Sequence, residues 1–200
     1  MENENFSKEE SFNLIAKMIS RAKNEYTDNG KGWLVWGWLL FAASSASALL
    51  MHIEQTKYIP WLWNVMGILV LVYFIYEITR KKTEKVKTYV EEMLDKFSAG
   101  FFISLITIII ASAVAGNGFA FGYYFILYAF WMYIYGSAIQ FKPLIIGAFV
   151  NWAAAIFIFI VDDFKYGMII AAIAVLVGYL IPGYMLRNQY QKSHNGNNGV

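Results

Sequence analysis

Four aromatic residues, Tyr124, Tyr128, Trp131 and Tyr135, stand at i, i+4, i+7 and i+11, and one amide, Asn151, follows in the next apolar stretch beside Trp152. At helical spacing the four share a single face and present hydroxyls and an indole N–H at successive levels. With Asn151 opposite, such a face has the chemistry of a pocket for a lipid, an aromatic or a cationic ligand, with apolar walls and a few orienting polar groups. The plainer role for the same residues is interhelical, the hydroxyls and the amide bonding to neighbouring helices while the rings pack.

Catalytic chemistry has less to work with. Cysteine is absent, which removes thiolate metal sites, thiol nucleophiles and disulfides. His52 and His194 lie at the end of one apolar stretch and in the polar C-terminal tail, so neither a Ser-His pair nor a His/Glu metal cluster can be drawn at depth. Asp162 and Asp163 are adjacent, but two carboxylates are too few for a hard-cation cage of about six or more oxygens. Gly116-Asn117-Gly118 with Gly122 has a loose likeness to a phosphate-cradling glycine loop, yet no strand precedes it, and it reads as a tight turn. No catalytic residue, cofactor or metal is expected, and the chain is read as a non-enzyme.

The elements that carry these residues follow from polarity. Of the 200 residues, 58% are hydrophobic, 18% aromatic and only 15% charged, whereas soluble domains carry about 25% charge. The net charge of +2 gives no footprint for nucleic acid. Apolar runs fall at Trp33–Met51, Tyr58–Ile78, Ala99–Ala115, Phe119–Ile139, Leu144–Val161 and Tyr166–Leu186. A charge-free run of 19 residues, as in the first, covers the roughly 30 Å hydrocarbon core at 1.5 Å per residue. Ala46-Ser47-Ala48 has the form of a signal-peptide cleavage site, but the apolar run continues beyond it and starts behind an acidic amphipathic segment, so it is read as part of a span.

The expected fold is therefore an all-α integral membrane protein of six transmembrane helices. Between spans 2 and 3 lies the one long polar interruption, 79–97, with Val86, Tyr89, Val90, Met93, Leu94 and Phe97 at helical spacing. A second amphipathic helix is expected over Ser7 to Tyr26, where Ser7 and Glu10 form a capping box, with its stop at Asp28-Asn29-Gly30-Lys31-Gly32. Six spans place fourteen of the sixteen Lys and Arg residues on one side and leave Lys57 and Lys165 on the other. By the positive-inside rule both termini are cytoplasmic, N-in/C-in. The organisation reads as an N-terminal helix (1–32), a hairpin of spans 1 and 2 (33–78), a charged cytoplasmic helix (79–97), a four-span bundle (98–187) and an unstructured tail (188–200).

Small residues predict where helices approach closely: Gly167, Ala171, Ala174 and Gly178 on span 6, Gly147, Asn151 and Ala154 on span 5, Ala43, Ser44, Ser47 and Ala48 on span 1, and Gly100, Ser104, Thr107 and Ala111 on span 3. Pro182-Gly183 is read as helix termination before Arg187, with a hinge as the alternative. Pro60 with Asn64 in span 2 faintly mirrors Pro143 with Asn151 in span 5, as in inverted-repeat transporters. Through span count alone, without any motif, the chain resembles small multi-pass bacterial membrane proteins. The leading expectation is a structural or regulatory component of the cell membrane. Its partners are the lipid bilayer and a protein at the cytoplasmic face, and a homo-oligomer is compatible with it. The rival is a small transporter or ligand-binding protein with its pocket between spans 4 and 5.

Overall fold

The computed structural model describes residues 28–81, 89–115, 121–161 and 163–197. The helix expected over Ser7 to Tyr26, residues 82–88 of the charged segment, the Gly116-Asn117-Gly118 turn and Asp162 lie outside them. The described elements are all helical: α1 (Lys31–His52), a 3-10 turn (Thr56–Tyr58), α2 (Ile59–Lys81), α3 (Tyr89–Ala115), α4 (Phe121–Ala138), α5 (Lys142–Val161), α6 (Phe164–Val175), a π-helical turn (Leu176–Leu180) and α7 (Ile181–Asn197).

Among the described residues, four stretches are long and apolar enough to cross a membrane: Lys31–His52, Tyr89–Val114, Lys142–Val161 and the compound helix Phe164–Lys192. That much is compatible with a membrane-embedded protein. In α4, only 18 residues long, five tyrosines reduce the apolar character.

Local chemistry fixes the helix ends. Asp28 and Asn29 accept from the backbone N–H groups of Gly30 (2.9 Å) and Lys31 (3.0 Å), and Gly30 adopts a left-handed φ of 68°. The expected stop at 28–32 is thus the start of α1, which already includes Lys31 and Gly32. Gly30 also tolerates no side chain, since a Cβ there would lie 2.9 Å from the Gly183 carbonyl oxygen. Two non-glycine residues take the left-handed C′ position, Glu54 after α1 and Gln140 after α4. Gln140 N–H bonds to Ser137 O (3.2 Å) and Phe141 N–H to Gly136 O (2.8 Å), the paired bonds of a Schellman stop. Asp163 caps α6, its carboxylate accepting from Lys165 N–H (2.8 Å) and Tyr166 N–H (3.1 Å).

The helices assemble around α4, α5 and α6. The most extensive contact joins α4 to α5, α6 and the π turn lie against both α1 and α5, and α3 packs on α4. α1, expected in a hairpin with α2, meets α6 more extensively than it meets α2. Small residues explain this, because Ala43, Ser44 and Ser47 on α1 and Ala171 and Ala174 on α6 are all buried. α2 is tied to α1 by Trp63, whose indole donates to Ser47 Oγ (3.1 Å).

Three expectations need correction. The small stripe of span 3 does not pack: Gly100, Ser104, Thr107 and Ala111 are exposed, while Leu94 and Phe101 on the other side are buried. Bulky rings reach across to α4 there, so close backbone approach is not what that contact uses. The cytoplasmic helix expected over 79–97 is not separate from span 3, since α3 runs unbroken from Tyr89 to Ala115. Nor does the last helix stop before Arg187. It passes through Pro182 and continues to Asn197, into the Asn/Gly-rich tail read as unstructured. Once nucleated, each further residue adds a hydrogen bond at little cost, which carries a helix into such composition.

Candidate functional site

α4 presents two faces. Phe125, Ala129, Met132 and Gly136 are buried, and Met132 and Gly136 meet α5 through Asn151 and Leu144. The predicted aromatic face is adjacent, and its rings run toward other helices. Tyr128 meets Trp36 of α1 (centroids 6.1 Å apart), Phe101 of α3 (5.7 Å) and Tyr179 of the π turn (6.1 Å). Trp131 stacks obliquely on Phe101 (5.8 Å) and Tyr135 stands edge-on to Trp33 (5.1 Å). Tyr124 packs on Phe121 (5.8 Å). Tyr128 and Tyr135 are 5% and 8% exposed, so the rings fill the space they face. Edge-to-face pairs at these separations are favourable beyond their buried area.

Asn151 sits apart from that cluster. It is fully buried, half-way along α5, where its Nδ2 donates to the Gly147 carbonyl of its own helix (2.8 Å) and reaches Met132 Sδ (3.5 Å). The structure thus brings Asn151 to Met132 and the π turn, while Tyr128, Trp131 and Tyr135 turn to α1, α3 and Tyr179. Asn64, its proposed mirror in α2, makes the same i to i−4 bond, to Pro60 O (2.8 Å), but is exposed.

Around Asn151 the backbones of α5 and the π turn touch. A Cβ on Gly147 would run into the Gly178 carbonyl oxygen, and a Cβ on Gly178 into Asn151 Nδ2. The chain matches no protein-family model, no curated protein and no solved structure. What the arrangement can do is read from its own groups.

A second polar centre, missed in the sequence reading, lies where Asp28 meets α4. Asp28 Oδ2 accepts from the Trp33 indole (3.2 Å) and from the Tyr135 hydroxyl, while Oδ1 accepts from Gly30 N–H. The Asp28 carboxylate therefore locks the chain leading into α1 onto the end of the aromatic face. The only sequence signal was a carboxylate five residues before a tryptophan. At the other end of the bundle Lys165 Nζ approaches His52 Nδ1 (3.4 Å), joining the start of α6 to the end of α1. Among the described residues no group of three or more His, Asp or Glu could hold a metal ion.

Proposed function

We propose that this chain is a six-span protein of the cytoplasmic membrane with both termini inside, a non-enzymatic structural or regulatory component whose interaction surface is its cytoplasmic face. The observation that carries the reading is the occupation of the aromatic face: Trp33, Trp36, Phe101 and Tyr179 pack where a ligand would have to sit. An occupied aromatic face moves recognition to the surface. There fourteen of the sixteen basic residues gather on one side when six spans are threaded, six of them between Arg80 and Lys96. Such a cluster attracts anionic headgroups and acidic partners alike.

The test compares two sets of variants in a strain lacking the protein. Lys85→Glu combined with Lys87→Glu should fail to restore the wild-type phenotype, while Tyr128→Phe and Asn151→Leu should restore it. The reverse pattern would contradict the proposal and favour a transporter or ligand-binding protein with a pocket between spans 4 and 5. One observation supports that second reading, the amide oxygen of Asn151, which is buried and without a donor among the described residues.

A further inference from the structure

Two hydrogen-bond acceptors, one on α5 and one on the π turn that packs against it, are short of donors. The first is Asn151 Oδ1, buried and without a donor among the described residues. Both ends of that amide are constrained: Nδ2 is committed to Gly147 O and Met132 Sδ, and exchanging N for O would set two carbonyl oxygens against each other. The second is a backbone carbonyl of the π turn. Ile181 N–H bonds five residues back to Leu176 O, and the next residue is Pro182, which has no N–H. In an α register Pro182 would have served Gly178 O, and in a π register Val177 O, so one of those two carbonyls loses its helical donor. Gly178 is the residue against which the Asn151 amide rests.

A buried acceptor without a donor is destabilising, and native structures rarely leave two together. Their common need is a small group with two hydrogens to give. We propose that Asn151 Oδ1 and the Val177/Gly178 carbonyls form a binding site for a single water molecule that bridges α5 to the break in the last helix. An ammonium ion offers the same donors. Among the described residues the Asn151 amide bonds only to Gly147 O and Met132 Sδ, neither of them anionic, and stripping a cation of its hydration without a counter-charge is far more costly than burying water. The water completes the hydrogen bonding that Pro182 interrupts, so the helix holds together at a point where it can also bend.

The experiment is a structure of the full chain in lipid nanodiscs at a resolution that shows ordered water, for wild type, Asn151→Leu and Pro182→Ala. The wild-type map should show one peak within hydrogen-bond distance of Asn151 Oδ1 and of the Val177 or Gly178 carbonyl. The peak should vanish in Asn151→Leu. It should also vanish in Pro182→Ala, where the restored N–H supplies the carbonyl directly, and this variant decides the matter if Asn151→Leu does not fold. A protein group donating to Oδ1, no peak in wild type, or a peak that persists in either variant would overturn the proposal. Melting temperatures of wild type in ammonium and sodium chloride at equal ionic strength should coincide. A rise of about 2–4 °C confined to ammonium would assign the site to that ion and overturn the water.

Discussion

Asp28 gathers a backbone N–H, an indole and a phenol onto one carboxylate, and each of those donors belongs to a different part of the junction between the incoming chain, α1 and α4. Hydrogen bonds to charged groups contribute about 1.5–3 kcal/mol when partly shielded, and Asp28 is only half-buried, so the lower end applies. Tyr135→Phe keeps the ring that packs on Trp33 and removes the hydroxyl alone. It should lower stability by about 1.5 kcal/mol in thermal melts of the detergent-solubilised protein. An unchanged melting curve would show that the carboxylate is held by Gly30 and Trp33 without it. At this scale the sequence was partly legible. The shared face of Tyr124, Tyr128, Trp131 and Tyr135 follows from spacing, but spacing does not say which helix the face meets. Asn151 is recognisable as a buried amide, whereas the direction of its oxygen depends on Gly147 and Met132, which only the fold brings to it.

Among the elements, small residues do opposite things in different helices, and this sets a clean comparison. Gly147→Ala drives a methyl group into the Gly178 carbonyl and should cost about 1–3 kcal/mol, because backbone cannot yield as a flexible side chain does. Gly100→Ala and Gly67→Ala meet nothing within 4 Å and should stabilise their helices by about 0.5–1 kcal/mol. Chemical denaturation of the three variants checks both signs, and a neutral Gly147→Ala would mean that α5 and the π turn stand farther apart. The same periodic signal in α3 and α6 had predicted equal roles. It could not, since period gives a face but not its partner, and the bulky Phe101 of α3 outbids Gly100 for the contact with α4. Turns were more legible: the break between the apolar runs that end at Ile139 and start at Leu144 does close α4, with Gln140 in the left-handed conformation at φ 55°. Gln140→Gly relieves that conformation and should raise stability by about 1 kcal/mol in the same assay, with no change if the stop is held wholly by tertiary contacts.

For the molecule as a whole, the ends of the bundle are chemically distinct. Tyr135 meets Asp28 and Gly30 meets Gly183 and Arg187 at one end, and His52 meets Lys165 at the other. Apolar runs made the helical, membrane-compatible class legible because burial in lipid demands long uncharged stretches with their backbone bonds satisfied internally. The order in which helices pack was not legible, as the α1 to α6 contact joins segments separated by more than a hundred residues and rests on residues as unremarkable as Ala43, Ser47 and Ala171.

The central claim, that six spans set the basic face toward the cytoplasm and leave the Lys57 and Lys165 side outside, is tested most directly by thiol labelling, for which the cysteine-free chain gives no background. Single cysteines at Gln55 and Lys165 should react with a membrane-impermeant maleimide in intact cells, while those at Gln140 and Asn188 should react only after lysis. Labelling of Gln140→Cys or Asn188→Cys in intact cells, or protection of Gln55→Cys together with Lys165→Cys, would contradict it.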